Sequence, residues 1–153
     1  MKEILFRGKR VDTIGNGEWI EGYYAAEPYV ENTYNRGYIL ENEKDLYAKK
    51  AYFVDSRTVG QYTGLTDKSG KKIFEGDILS IAQKGNGIGD YFYPPLKYPS
   101  NAIVKWDKCS WMWEIIAEQR YYLTFPDAWC HFECKIIGNI HDNPELLGGE
   151  SDG

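Results

Sequence analysis

The sequence predicts a mainly β, β-rich α+β fold, and three observations carry that expectation. Tyr, Trp and Phe number 13, 5 and 6, and these side chains suit pleated, half-buried surfaces. The strong helix formers are scattered and interrupted by 16 Gly, so no long amphipathic helix pattern survives. The apolar residues come in short runs, several of them alternating, separated by Gly, Asn and Asp of the kind that turns require. A hydrophobic fraction of 42% in 153 residues is enough for one core or two small subdomains and excludes a large multidomain enzyme.

The first element is a hairpin, with Glu3-Ile4-Leu5-Phe6-Arg7 as one arm and Glu18-Trp19-Ile20-Glu21-Gly22-Tyr23-Tyr24 as the other. Gly15-Asn16-Gly17 supplies the reversal, because Asn and Gly tolerate the positive φ of a tight turn. Over residues 25–50 the pattern weakens, leaving Tyr29-Val30 and Tyr38-Ile39-Leu40 as short strands. Ala51-Tyr52-Phe53-Val54 and Thr58-Val59-Gly60-Gln61-Tyr62-Thr63 read as two further strands, and Gly64 marks a bend.

Next comes a polar turn, Asp67-Lys68-Ser69-Gly70-Lys71-Lys72, then a strand at Ile73-Phe74, a kink at Gly76 and a strand at Ile78-Leu79-Ser80-Ile81. Residues 83–101 hold Gly85, Gly87, Gly89 and three prolines, Pro94, Pro95 and Pro99, and form a long excursion. A hairpin follows: Ala102, Val104 and Trp106 share one face of its first strand, and Trp111, Trp113 and Ile115 share one face of its second. Trp111 and Trp113 are expected in the core. Cys134-Lys135-Ile136-Ile137-Gly138-Asn139-Ile140 is the last strand. Asn143-Pro144 then starts a helical turn, with Asn as the cap and Pro at the first position.

Three cysteines in a chain with a charged start and no export-signal pattern predict reduced thiols and a cytoplasmic protein. No apolar run is long enough to cross a membrane as a helix. A formal charge of -5 disfavours indiscriminate binding to nucleic acid or to an anionic membrane.

Three blocks together resemble one known family. The first is Phe6-Arg7-Gly8-Lys9 followed by Gly17-Glu18-Trp19-Ile20-Glu21-Gly22-Tyr23. The second and longest runs from Val59-Gly60-Gln61-Tyr62-Thr63-Gly64-Leu65-Thr66-Asp67 through Lys68-Ser69-Gly70-Lys71-Lys72-Ile73-Phe74-Glu75-Gly76-Asp77-Ile78-Leu79. The third is Val104-Lys105-Trp106 with Ile136-Ile137-Gly138-Asn139-Ile140-His141-Asp142-Asn143-Pro144-Glu145-Leu146-Leu147. Together they are similar to the YopX family. The resemblance implies a mainly β fold and a phage or prophage accessory protein in the bacterial cytoplasm, and it carries over no catalytic residues. Residues 25–50 and 83–101 fall outside it.

Each candidate site has a plainer structural explanation beside it. Cys130 and Cys134, with His131, Cys109 and His141 elsewhere, give only one half of a zinc pattern, so no metal and no cofactor are expected. Gly85-Asn86-Gly87-Ile88-Gly89-Asp90 lacks the Gly-Lys-Ser/Thr ending and the following helix of a phosphate loop. Glu75 with Asp77, and Asp142 with Glu145, fit a polar bend and a helix start better than an acid and base pair. No Gly-x-Ser-x-Gly turn is present, and two His leave little material for a triad.

Two surfaces remain for binding. Tyr91, Phe92, Tyr93 and Tyr98, interleaved with prolines, form a preorganised aromatic segment suited to a partner. Lys68, Lys71 and Lys72 are candidate phosphate contacts, more so if they adjoin Lys2, Arg7, Lys9 and Arg10.

The expected architecture is an irregular N-terminal β subdomain (residues 1–66) packed on a small SH3-like or open β-barrel (67–147), with a flexible acidic tail (148–153). The expected function is non-enzymatic: a module that binds a host or phage protein or itself, as a homo-oligomer. A nucleic-acid-binding accessory module and a small hydrolase or nuclease with an unrecognised site are the alternatives.

Overall fold

The computed structural model describes residues 4–12, 17–26, 36–41, 50–83, 100–107, 110–116, 121–124 and 132–148. Mainly β is correct: ten strands and one short 3-10 turn make up the described elements. The chain divides into two units, Met1–Gly64 and Leu65–Gly153.

The first unit holds β1 (Phe6–Arg10), β2 (Trp19–Ala26), β3 (Arg36–Leu40) and most of β4 (Ala51–Thr66), which ends just past the division. The strands are antiparallel in sequential order, and β1 uses both of its edges, pairing β2 at Phe6↔Gly22 and β4 at Phe6↔Gln61. The pairing is therefore ring-like. The register of β1 on β4 shifts between Arg7 and Lys9, the kind of bulge that bends a strand. Small residues let the ring close: a Cβ on Gly22 would overlap the Leu40 carbonyl oxygen and lie 2.8 Å from Ile39 Cγ2. Leu5, Ile39 and Val54 fill the buried interior.

In the second unit the turn Asp67 to Lys71 leads into β5 (Lys72–Phe74) and β6 (Asp77–Gln83). β7 (Ser100–Asp107), β8 (Ser110–Ile116), β9 (Tyr121–Thr124) and β10 (Phe132–Asn139) follow, then a 3-10 turn at Pro144–Leu147. The main sheet is antiparallel with order β10-β6-β7-β8-β9. One face carries the core of Leu79, Ile81, Ala102, Val104, Trp111, Phe132 and Cys134, with Ile73 packed in and Leu65 and Ile136 at its margin. Period-two burial runs clearly along β10, where Phe132 and Cys134 are buried while Glu133 and Lys135 face water.

Several sequence expectations shift. A partly ring-like pairing lies in residues 6–61, and over 67–147 the described strands pair in the order β10-β6-β7-β8-β9. The first hairpin slides along its N-terminal arm to Phe6–Arg10, closed by the Gly17 N–H on the Arg10 carbonyl at 2.9 Å. The strands expected at 51–54 and 58–63 are one continuous β4, with Gly64 at φ 87 inside it. β9 had no counterpart in the sequence reading. Pro144 stands at the first position of a single 3-10 turn, but Asn143 makes no capping bond with its side chain.

Candidate functional site

The lysine turn is built around one carboxylate. Asp67 is buried, with one oxygen accepting from the Ser69 and Lys71 amides at 2.8 and 3.0 Å. The other oxygen accepts from the Ile136 amide of β10 at 3.1 Å. Burial by itself pushes this carboxyl up, but the Ile136, Lys71 and Ser69 amides and the Lys71 charge outweigh it and hold it below its ordinary value. The Lys68 amide donates to the Cys134 carbonyl at 3.1 Å, so the turn is zipped to the side of β10 that faces away from β6. An edge strand's free backbone groups are thereby covered at Cys134 and Ile136.

This geometry leaves Lys68, Lys71 and Lys72 exposed and brings Lys135, also exposed, beside them through β10. Lys135 escaped sequence reasoning because the bond that recruits it spans 69 residues. The other basic cluster is in the first unit, and its arginines have local uses. Arg7 lies over the Trp19 ring and Arg10 over Tyr52, each 4.8 Å from the centroid. Arg10 also pairs with Asp12 at 2.7 Å and Glu18 at 3.6 Å; the Asp12 bond is the first cause of its raised pKa. Lys2 lies outside the described residues.

Of the acidic candidates, Asp77 is engaged with the backbone, and Asp142 and Glu145 with asparagine side chains. Asp77 is buried and accepts from the Phe74 amide at 2.8 Å, closing the β5–β6 turn over Gly76. Gly76, at φ 82, donates to the Val104 carbonyl and accepts from the Ile140 amide, both at 2.9 Å. Buried Asn139 accepts from the His141 and Asp142 amides at 2.9 and 3.0 Å and donates to the Asp142 carboxylate at 3.1 Å. The Asn143 side chain, expected as a helix cap, accepts instead from the Asn139 amide at 3.3 Å and donates to Glu145 at 3.4 Å. Glu114, buried on β8, pairs with Lys105.

Cys134 is buried and in no disulfide, and no group of three metal-ligating side chains occurs among the described residues. Cys109, Cys130, His131, the glycine-rich residues 85–90 and the aromatic residues Tyr91, Phe92, Tyr93 and Tyr98 lie outside the described residues. No helix among the described residues is long and apolar enough to cross a membrane.

Trp106 matters most for function. It shares a strand face with Ala102 and Val104, yet it is 49% exposed while they are buried. It pairs across the hairpin with Trp111, edge to face at 4.8 Å between centroids, and Trp111 is buried. The readable signal was position: Trp106 stands next to the end of β7, whose last three residues are exposed.

A sequence profile described as YopX protein matches residues 15–148. The chain belongs to the YopX family. A crystal structure of protein EF1440 from Enterococcus faecalis resembles this YopX chain with a TM-score of 0.54 at 22% identity, covering 97% of this chain and 100% of that one. At that identity the likeness concerns the fold alone. No curated protein matches the chain. Within this YopX chain, the Asp67 turn, the Gly76-Asp77 turn and the Asn139 to Asn143 turn all lie in the blocks that carry the resemblance, and all are fixed by side-chain or backbone bonds to neighbouring strands.

Proposed function

We propose that this YopX-family chain is a phage or prophage accessory module of the bacterial cytoplasm that recognises another protein, or a second copy of itself, rather than transforming a substrate. One observation supports this most: Trp106 packs edge to face on buried Trp111 while 49% of its own surface stays in water. A tryptophan fixed in advance loses little entropy when covered, and such residues dominate protein interfaces. Asp67 and Asp77 accept from backbone amides and Asp142 accepts from the Asn139 side chain, so each carboxylate already holds a turn in place.

The test is co-purification from bacterial lysate, together with light scattering for self-association, using the intact chain and Trp106→Ala. Truncating an anchor of this kind costs about 2 kcal/mol or more, a roughly thirtyfold weaker complex. Retention of the same partner, or the same oligomer, by both proteins with equal affinity would remove the basis for this reading.

A further inference from the structure

We propose that the rim formed by Lys68, Lys71, Lys72 and Lys135 is a docking surface for a short acidic segment of a protein partner. This rests on the reading of the chain as a protein-binding module and adds to Trp106 a second contact of different chemistry.

Charge is the first argument. The chain carries -5 overall, yet at this rim four exposed lysines gather with Glu133 as the exposed acid on the same stretch of β10. No ion pair to Lys68, Lys71 or Lys135 occurs among the described residues, in contrast to Arg10 and Lys105. A local positive field inside a negative one selects and orients an anionic partner.

Preorganisation is the second. The Asp67 carboxylate and the Lys68 amide lock the turn onto β10 through Ile136 and Cys134, so the cations are presented on a fixed backbone. Ile137, 38% exposed, follows Lys135 on the outward-facing alternation of β10 and offers an apolar contact amid the charges.

Size and side-chain type then favour peptide over nucleic acid. The rim is one turn plus a few strand residues at roughly 3.3 Å each, a length matched by a few Asp or Glu side chains flanking an apolar one. The exposed residues of the turn and of this face of β10 are Lys, Ser, Gly, Glu and Ile, without the aromatic platform on which bases stack. A long polyanion would also extend from the rim into the chain's negative field.

Fluorescence anisotropy at low salt decides it, with a labelled Glu/Leu peptide, a Gln/Leu peptide and oligothymidylate as probes of the full chain. Binding should be measurable for the Glu/Leu peptide and absent for the Gln/Leu peptide. It should weaken about tenfold or more in a Lys68→Glu, Lys71→Glu, Lys135→Glu variant and strengthen in Glu133→Lys. If charge reversal prevents folding, the Gln versions of the same three substitutions serve with a smaller expected loss. Failure of the Glu/Leu peptide to bind, or equal binding by the variants, overturns the proposal. Tighter binding of oligothymidylate overturns it too and gives the rim to nucleic acid. None of these results bears on Trp106→Ala, so the rim can fail while the protein-binding reading stands.

Discussion

The two units solve the same problem with different materials. In the first, closure comes from the main chain: β1 pairs with both β2 and β4, and among the described residues Leu5, Ile39 and Val54 are the buried apolar side chains of the ring. Arg7 and Arg10 lie on aromatic rings. In the second, the sheet buries a larger apolar face, and buried polar side chains reach across to fasten the turns: Asp67 to β10, Asp77 to the amide of Phe74, Asn139 to His141 and Asp142. A ring held by close backbone approach should tolerate almost no added volume. A sheet held by polar clips should respond to loss of acceptors and to pH.

The largest expected effect follows from the ring. Gly22→Ala places a methyl group against the Leu40 carbonyl oxygen, a backbone atom that moves only if β3 moves. We expect a loss of about 3 to 5 kcal/mol, read as a lowered urea midpoint, since overpacking against backbone lies at the severe end of single substitutions. A midpoint within error of the unmodified chain would mean that the ring is looser than the strand pairing implies.

Next comes the clip on β10. Asp67→Ala strips the acceptor from three backbone amides and should cost about 2 to 3 kcal/mol. The pH dependence has a definite sign. The Asp67 carboxyl is held below its ordinary value of 3.8, so the folded chain keeps it ionised to lower pH than the unfolded chain does. Its contribution is complete above that ordinary value and is lost as pH falls through the folded value. Asp67→Asn should therefore flatten the acid limb of a stability curve measured by urea titration. An unchanged acid limb would show that other carboxylates govern it.

What was legible in the sequence divides along the same line. The turn, strand, kink and strand from Asp67 to Ile81 could be read because glycine, alternation and polar turn residues all lie within a few positions of one another. The hairpin of β7 and β8 was readable for the same reason. Ring closure was not, because it needs Phe6 to meet Gln61, and nothing local in either segment encodes that meeting. The same limit explains the rim: Lys68, Lys71 and Lys72 could be named from their spacing, whereas Lys135 joins them only through a bond across the fold. Alternation puts Trp106 on the face of Ala102 and Val104 without saying how far along the strand that face is buried.

A smaller effect separates backbone strain from crowding. Gly76 has φ 82, but a Cβ there would meet Ile140 Cγ1 at 3.4 Å, an ordinary contact. Gly76→Ala should therefore cost about 1 to 2 kcal/mol, the cost of a left-handed backbone alone. A loss as large as that of Gly22→Ala would show that the hydrogen bonds of Gly76 to Val104 and Ile140 break as well.

The smallest stability change belongs to the residue with the largest expected role in binding. Trp106→Ala removes a side chain already half in water, and what it loses in the folded chain is mainly its edge contact with Trp111. That is worth about 0.5 to 1.5 kcal/mol, so the thermal midpoint should shift by only a few degrees. Trp106→Phe keeps an aromatic edge for Trp111 and should recover most of that shift while still weakening a partner that contacts the indole. If stability and binding instead fall together in both variants, Trp106 belongs to the fold of the second unit. If Trp106→Ala melts nearly as the unmodified chain does but loses its partner, the exposed half of the ring is where recognition occurs.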